Sequence, residues 1–93
     1  MIVSFGDRET ERLWHSGKSR RLPVDLQRRA FKKLAILNAA VGLDNLKVPP
    51  GNQLEALRGD RAGQHSIRVN DQYRVCFLWR DGNAFDVEIV DYH

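Results

Sequence analysis

Apolar residues recur at two different spacings along this chain, one in its first half and another in its second. Leu26, Ala30, Leu34, Leu37 and Val41 return every three or four positions, which predicts one long amphipathic helix. Pro23 can open that helix, because a first-turn residue needs no backbone N–H, and Gly42 can close it. Upstream, Asp7 stands where an N-cap accepts backbone hydrogen bonds, so residues 8–15 read as a shorter helix with Gly17 as its C-cap. Before it, Ile2-Val3-Ser4-Phe5 is β-branched and aromatic and suits a first strand.

Val48-Pro49-Pro50-Gly51-Asn52 is rich in turn residues and cannot continue regular structure; beyond it the apolar spacing drops to two. Residues 53–57 predict a strand, 58–63 a glycine-containing turn and 64–69 a strand of alternating apolar and polar positions, followed by a tight turn at Asn70-Asp71. Tyr73, Val75, Phe77 and Trp79 then form a core-directed face, with Arg74, Cys76, Leu78 and Arg80 on the other. Asp81-Gly82 is the clearest hairpin signal, and it leads into a last strand with Phe85, Val87 and Ile89 on one face and Asp86, Glu88 and Val90 on the other. The expected fold is α+β, in the order β-α-α-β-β-β-β. Short turns make the later strands antiparallel, and both helices pack on one apolar face of the twisted sheet.

Ninety-three residues make one domain, 1–93, since a chain this short buries only about 60–65 % of its unfolded surface and has no material for a second core. A content of 42 % hydrophobic and 29 % charged residues excludes the disordered, collagen-like and membrane classes. No apolar run reaches the roughly 20 residues that cross a bilayer, and the N-terminus lacks the pattern of a signal peptide, so a cytoplasmic location and no membrane partner are expected. A single cysteine, Cys76, excludes a disulfide framework and a cysteine metal site. The net charge of +3 tilts the balance toward an anionic partner only slightly; where the charges lie says more.

Arg28, Arg29, Lys32 and Lys33 occupy the polar side of the long helix, where they meet phosphates, an acidic protein or simply solvent. Gly17-Lys18-Ser19 is similar to the end of a phosphate-binding loop, but that pattern requires glycine at position 12, which is Arg12. More informative are Arg58 and Arg61 at a turn and Arg68 and Arg74 on strands. Their neighbours Ile67, Val69, Tyr73 and Val75 are the buried candidates, so Arg68 and Arg74 both leave the face opposite the core. A cationic open face fits RNA, whose phosphates are well matched by planar guanidinium groups; pairing with the 12 acidic residues is the competing explanation. The chain ends on Asp91-Tyr92-His93, a carboxylate, a phenol and an imidazole suited to proton transfer near neutrality. His15 belongs to a helix end, and His65 alternates with Ile67 and Val69 and reads as structural. No metal-ligand spacing and no activated serine or cysteine is present, so no metal and no cofactor are expected. RNA cleavage needs neither, because its 2′-hydroxyl is an internal nucleophile that a protein has only to align, deprotonate and offset electrostatically.

The segment Pro49-Pro50-Gly51-Asn52-Gln53-Leu54-Glu55-Ala56-Leu57-Arg58-Gly59-Asp60-Arg61-Ala62-Gly63, with Ser66-Ile67-Arg68, Tyr73-Arg74-Val75 and the terminal Asp91-Tyr92-His93, resembles the HigB and GraT group of plasmid-maintenance killer toxins in the RelE superfamily. The resemblance runs over nearly the whole chain, and it is the combination of these motifs that is specific. It implies a RelE-like fold and a toxin of a type II toxin–antitoxin system that cleaves mRNA in the ribosomal A site. It also implies a helix-turn-helix antitoxin encoded beside the toxin, with operator DNA contacted only through the antitoxin complex. Arg74 matches the arginine that contacts the scissile phosphate in this superfamily, Asp91, Tyr92 and His93 match the C-terminal catalytic group, and Arg58 lies where such toxins carry a basic residue. One position departs: some HigB toxins have a catalytic histidine where this chain has Glu55, a glutamate shared by the GraT-like branch. Either Glu55 is the general base, or His93 and Asp91 carry that burden.

On this reading Arg58, Arg61 and Arg68 grip RNA backbone, Arg74 stabilises the transition state, and Tyr92 positions the nucleotide. Two other classes compete: a non-catalytic module of the same shape that binds ribosome or antitoxin, and a DNA-binding regulator. The last is disfavoured because no helix-turn-helix pattern is evident and the basic residues lie mostly on predicted strands.

Overall fold

Asp7 starts the first helix as expected: its carboxylate accepts the Thr10 backbone N–H at 2.7 Å and the Thr10 hydroxyl at 2.9 Å. In the computed structural model, which describes residues 1–92, this helix is α1, Arg8–Ser16. Gly17, at φ 76°, closes it in the left-handed conformation and donates its N–H to the Leu13 carbonyl at 2.9 Å. The second helix, α2, spans Val24–Ala39, with Pro23 as the N-cap rather than the first helical residue. It stops before Gly42, because Ala40 turns extended and the Asn45 side-chain oxygen accepts the N–H groups of Val41 and Gly42 at 3.0 and 2.9 Å. Val41, expected in the core, is 81 % exposed, and Ala40 is buried instead. No helix among the described residues is long and apolar enough to cross a membrane.

Two short 3-10 helices that the apolar spacing did not predict, Leu43–Lys47 and Pro50–Asn52, carry the chain to the sheet, with a cis peptide between Val48 and Pro49. Asn52 holds this connection. It has no exposed surface, and its side-chain amide donates to the Leu46 and Val48 carbonyls at 3.1 and 3.2 Å while its oxygen accepts from Lys33 Nζ. Alanine at this position would leave two carbonyls and an ammonium without their partner. Asn52→Ala is therefore expected to lower unfolding free energy by about 2–3 kcal/mol, measured by urea denaturation.

The sheet contains β1 (Glu55–Ala56), β2 (Gln64–Arg68), β3 (Tyr73–Arg80) and β4 (Asn83–Asp91), antiparallel throughout and adjacent in that order. β1 is shorter than the predicted 53–57 because Gln53, at φ 45°, is left-handed and cannot extend the ladder. The N-terminal segment forms no regular strand. It runs parallel to β4 through isolated bridges, Ile2 with Ala84 and Phe5 with Val87, covering that edge of the sheet. Asp81 and Gly82, at φ 53° and 78°, make the expected two-residue hairpin between Arg80 and Asn83; a Cβ on Gly82 would also come within 3.3 Å of the Val41 carbonyl.

One irregularity changes the faces of β4. Cys76 pairs with Glu88 but Leu78 with Phe85, so Asp86 and Val87 both lie across from Phe77, and Asp86 takes φ 53°. The Ser4 hydroxyl accepts the freed Asp86 N–H at 2.9 Å. Because the bulge shifts the alternation by one, Ala84, Val87 and Ile89 face the core, and Phe85, expected with them, leaves it to lie beneath the Arg80 guanidinium at 4.8 Å. Both helices pack on this core face, around Leu13, Leu34, Leu37, Ile67, Val75 and Phe77. Thr10 ties α1 to the sheet by accepting the buried Ile89 N–H at 3.0 Å.

Candidate active site

Register places the site. Glu55, Ser66, Cys76 and Glu88 are paired in one row across all four strands, and Arg68, Arg74 and Val90 form the next row. Both rows lie on the face away from the helices, as alternation predicted for Arg68 and Arg74. That face is not uniformly open, however: Arg74 is 7 % exposed, and Ser66 and Cys76 have no exposed surface.

Arg74 is the centre. Its Nε donates to the Ser66 hydroxyl at 2.6 Å, and its Nη2 donates to the Gln53 carbonyl and, at 3.4 Å, to the Ser66 carbonyl. The Glu55 carboxylate stands 3.5 Å from the same Nη2, and the Tyr92 ring centre lies 5.9 Å from the guanidinium carbon. Arg68 is directly opposite Arg74 on β2 and pairs with the exposed Asp71. Two like charges facing each other across a ladder are unfavourable unless an anion joins them. Arg61 reaches in from the loop before β2 and contacts Glu88 at 2.7 Å and Gln64 at 3.0 Å; the hydrogen bond to Glu88 holds its guanidinium still more firmly protonated. Burial pushes the Cys76 thiol above its ordinary value, although the nearby Arg61 and Arg74 act the other way. A protonated, fully covered thiol is a poor nucleophile.

Three of these arginines thus have an acidic neighbour: Arg74 with Glu55, Arg61 with Glu88, Arg68 with Asp71. Burial, followed by the like charges of Arg29 and Arg68, pushes the Lys33 amine below its ordinary value.

Of the residues singled out in the sequence, Glu55 and Tyr92 both reach Arg74, with Arg68 across the ladder and Arg61 on the loop before β2. Arg58 is exposed on the loop. Asp91 does not share the position of Tyr92: it pairs with Tyr73, one step out of phase with Arg74, and its carboxylate accepts Gln72 Nε2 at 3.0 Å. Gln72 also accepts the Tyr92 backbone N–H at 2.7 Å, so it anchors the strand exit twice. His93 lies outside the described residues. His65 is half-buried and stacks on Phe77 at 6.4 Å, and His15 is exposed, edge-on to Phe5 at 6.0 Å. Sequence reasoning passed over Ser66, Gln53 and Glu88. Alternation with Arg68 could have flagged Ser66, but nothing local announces the Gln53 carbonyl, whose direction depends on its left-handed backbone.

Fold and site together define a small α+β domain with a buried, pre-aimed arginine on the sheet face away from its helices. The family model described as "RelE-like toxin of type II toxin-antitoxin system HigB" matches residues 3–93. The chain is 42 % identical over 87 residues to Toxin HigB-1 of Vibrio cholerae serotype O1, covering 92 % of each protein. It is 29 % identical over 93 residues to Endoribonuclease HigB of Proteus vulgaris, covering 100 % of each. The chain belongs to the HigB family of RelE-like toxins. Membership in a type II system implies an antitoxin partner.

Proposed function

We propose that this toxin is an endoribonuclease that cuts mRNA in the ribosomal A site of the bacterial cytoplasm, without a metal, and so arrests translation and growth. The observation that carries this reading is the Arg74 guanidinium, held by Ser66 and Gln53 under the Tyr92 ring with Arg68 across the ladder. Such a group stabilises a pentacoordinate phosphorane and costs no reorganisation when charge develops. The name of the Proteus vulgaris relative, Endoribonuclease HigB, supports the same activity.

In the reaction a base removes the 2′-hydroxyl proton, the 2′-oxygen attacks the adjacent phosphorus, and the bond from phosphorus to the 5′-oxygen breaks. A general acid protonates that leaving oxygen, so the products are a 2′,3′-cyclic phosphate and a 5′-hydroxyl. Glu55 is the base in this scheme. Its carboxylate is half exposed and stands 3.5 Å from Arg74 Nη2, beside the group that would hold the phosphate, whereas Asp91 accepts from Gln72 at the strand exit. His93 is the acid, Tyr92 stacks on a base, and Arg58, Arg61 and Arg68 bind backbone phosphates. The partner that silences the toxin is a helix-turn-helix antitoxin, through which the complex reaches operator DNA.

Mapping transcript ends after brief induction tests this reading. Wild type should create new 5′ ends inside translated codons, and His93→Gln should reduce them at least roughly tenfold with the fold intact. Growth arrest without new ends would instead identify a non-catalytic module that only occupies the ribosome.

A further inference from the structure

Arg74 has five N–H donors, and how it meets a phosphate depends on which of them are already engaged. Nε is taken by the Ser66 hydroxyl at 2.6 Å, and Nη2 by the Gln53 and Ser66 carbonyls. These contacts lie on one edge of the guanidinium plane and fix both its tilt and its rotation about the Cδ–Nε bond. Ser66 itself has no exposed surface: it sits on β2 between Glu55 and Cys76, diagonal to Arg74, and cannot touch a nucleotide. Gln53 completes the clamp from a left-handed backbone, φ 45°, a conformation that a residue with a side chain adopts at a cost.

We infer that Ser66 is a positioning residue for the cleavage reaction: its buried hydroxyl aims the Arg74 guanidinium so that the Nη1 edge faces the scissile phosphate. The inference rests on the proposed role of Arg74 and adds to it the side chain through which that role is set. A hydroxyl is suited to the task because it accepts Nε without bringing a second negative charge. A carboxylate there would hold the guanidinium as an ion pair and compete with the phosphate. Without the hydroxyl, Nε loses its acceptor, the plane rotates about Cδ–Nε, and the contact that forms only in the transition state is misaligned.

The test is a double-mutant cycle on the full chain, using ribosomes programmed with a defined mRNA and following cleavage in single-turnover and steady-state assays. Ser66→Ala should lower kcat about ten- to hundredfold and leave KM within about twofold, because positioning acts on the transition state rather than on ribosome binding. In the Arg74→Ala background the same substitution should change kcat by less than about twofold, since the group it aims is gone. Melting temperature is followed for every variant. Ser66→Cys, close in size but a weak acceptor, serves as the second variant if alanine does not stay folded, and it too should lower kcat only when Arg74 is present. Wild-type kcat in a folded Ser66 variant, a change confined to KM, or an equal loss with and without Arg74 would overturn the inference and leave the role of Arg74 standing. Wild-type cleavage by Arg74→Ala would overturn that role, and the inference with it.

Discussion

Arg74→Ala should lower the rate of mRNA cleavage by about 10²–10³-fold, the loss typical when a pre-aligned donor to a developing oxyanion is removed. The side chain is 7 % exposed and already oriented by Ser66 and Gln53, so little of its binding energy goes into ordering it when RNA arrives. Fold should survive the change. The carboxylate left behind, Glu55, is half exposed at 52 % of its side-chain surface and can be solvated, which spares the variant the cost of an unpaired buried charge. Arg74→Lys should recover only part of the rate, because an ammonium cannot reach Ser66, Gln53 and a phosphate from fixed directions. Programmed-ribosome cleavage assays beside melting curves measure both; wild-type rates in folded Arg74→Ala would remove the centre of the proposed mechanism.

The second large effect is on stability. Phe77→Ala should cost about 3–5 kcal/mol, the range for losing a buried phenyl ring. Phe77 has no exposed surface, pairs with His65 on the neighbouring strand β2 and stands edge-on to Trp79 at 6.3 Å. It also lies where two residues of β4 oppose one of β3, so backbone collapse cannot readily fill the space. For a domain of this size each kcal/mol is worth about 4–8 °C, which puts the expected fall in melting temperature at about 12–40 °C. Calorimetry would show it, and a fall of only a few degrees would mean that the core repacks around the bulge.

Local chemistry made several elements legible. Asp7 and Gly17 bracket α1 because caps act within one turn, and Asp81-Gly82 makes its hairpin because both residues tolerate positive φ. Family motifs pointed to Arg74, Glu55 and Tyr92, and these converge. The far end of α2 was misread because Val41 continues the apolar spacing, while the residue that stops the helix, Asn45, lies beyond it and acts through a side-chain oxygen. Phe85 was misassigned for a related reason: strict alternation assumes an unbroken ladder, and the bulge at Asp86 is stabilised by Ser4, 82 residues away in sequence.

What the sequence by itself determined is the class of fold, the face on which Arg68 and Arg74 emerge and the identity of the guanidinium at the centre. Each depends on periodicity or motif over a few residues. Only the tertiary structure decided that this guanidinium is buried and held by Ser66 and the Gln53 carbonyl, that Glu55 rather than Asp91 stands beside it, and that Arg61, Arg68 and Arg74 each have an acid nearby. Those facts follow from inter-strand register and from the left-handed turn at Gln53. Both are set by the packing of segments far apart in the chain, which no local pattern encodes.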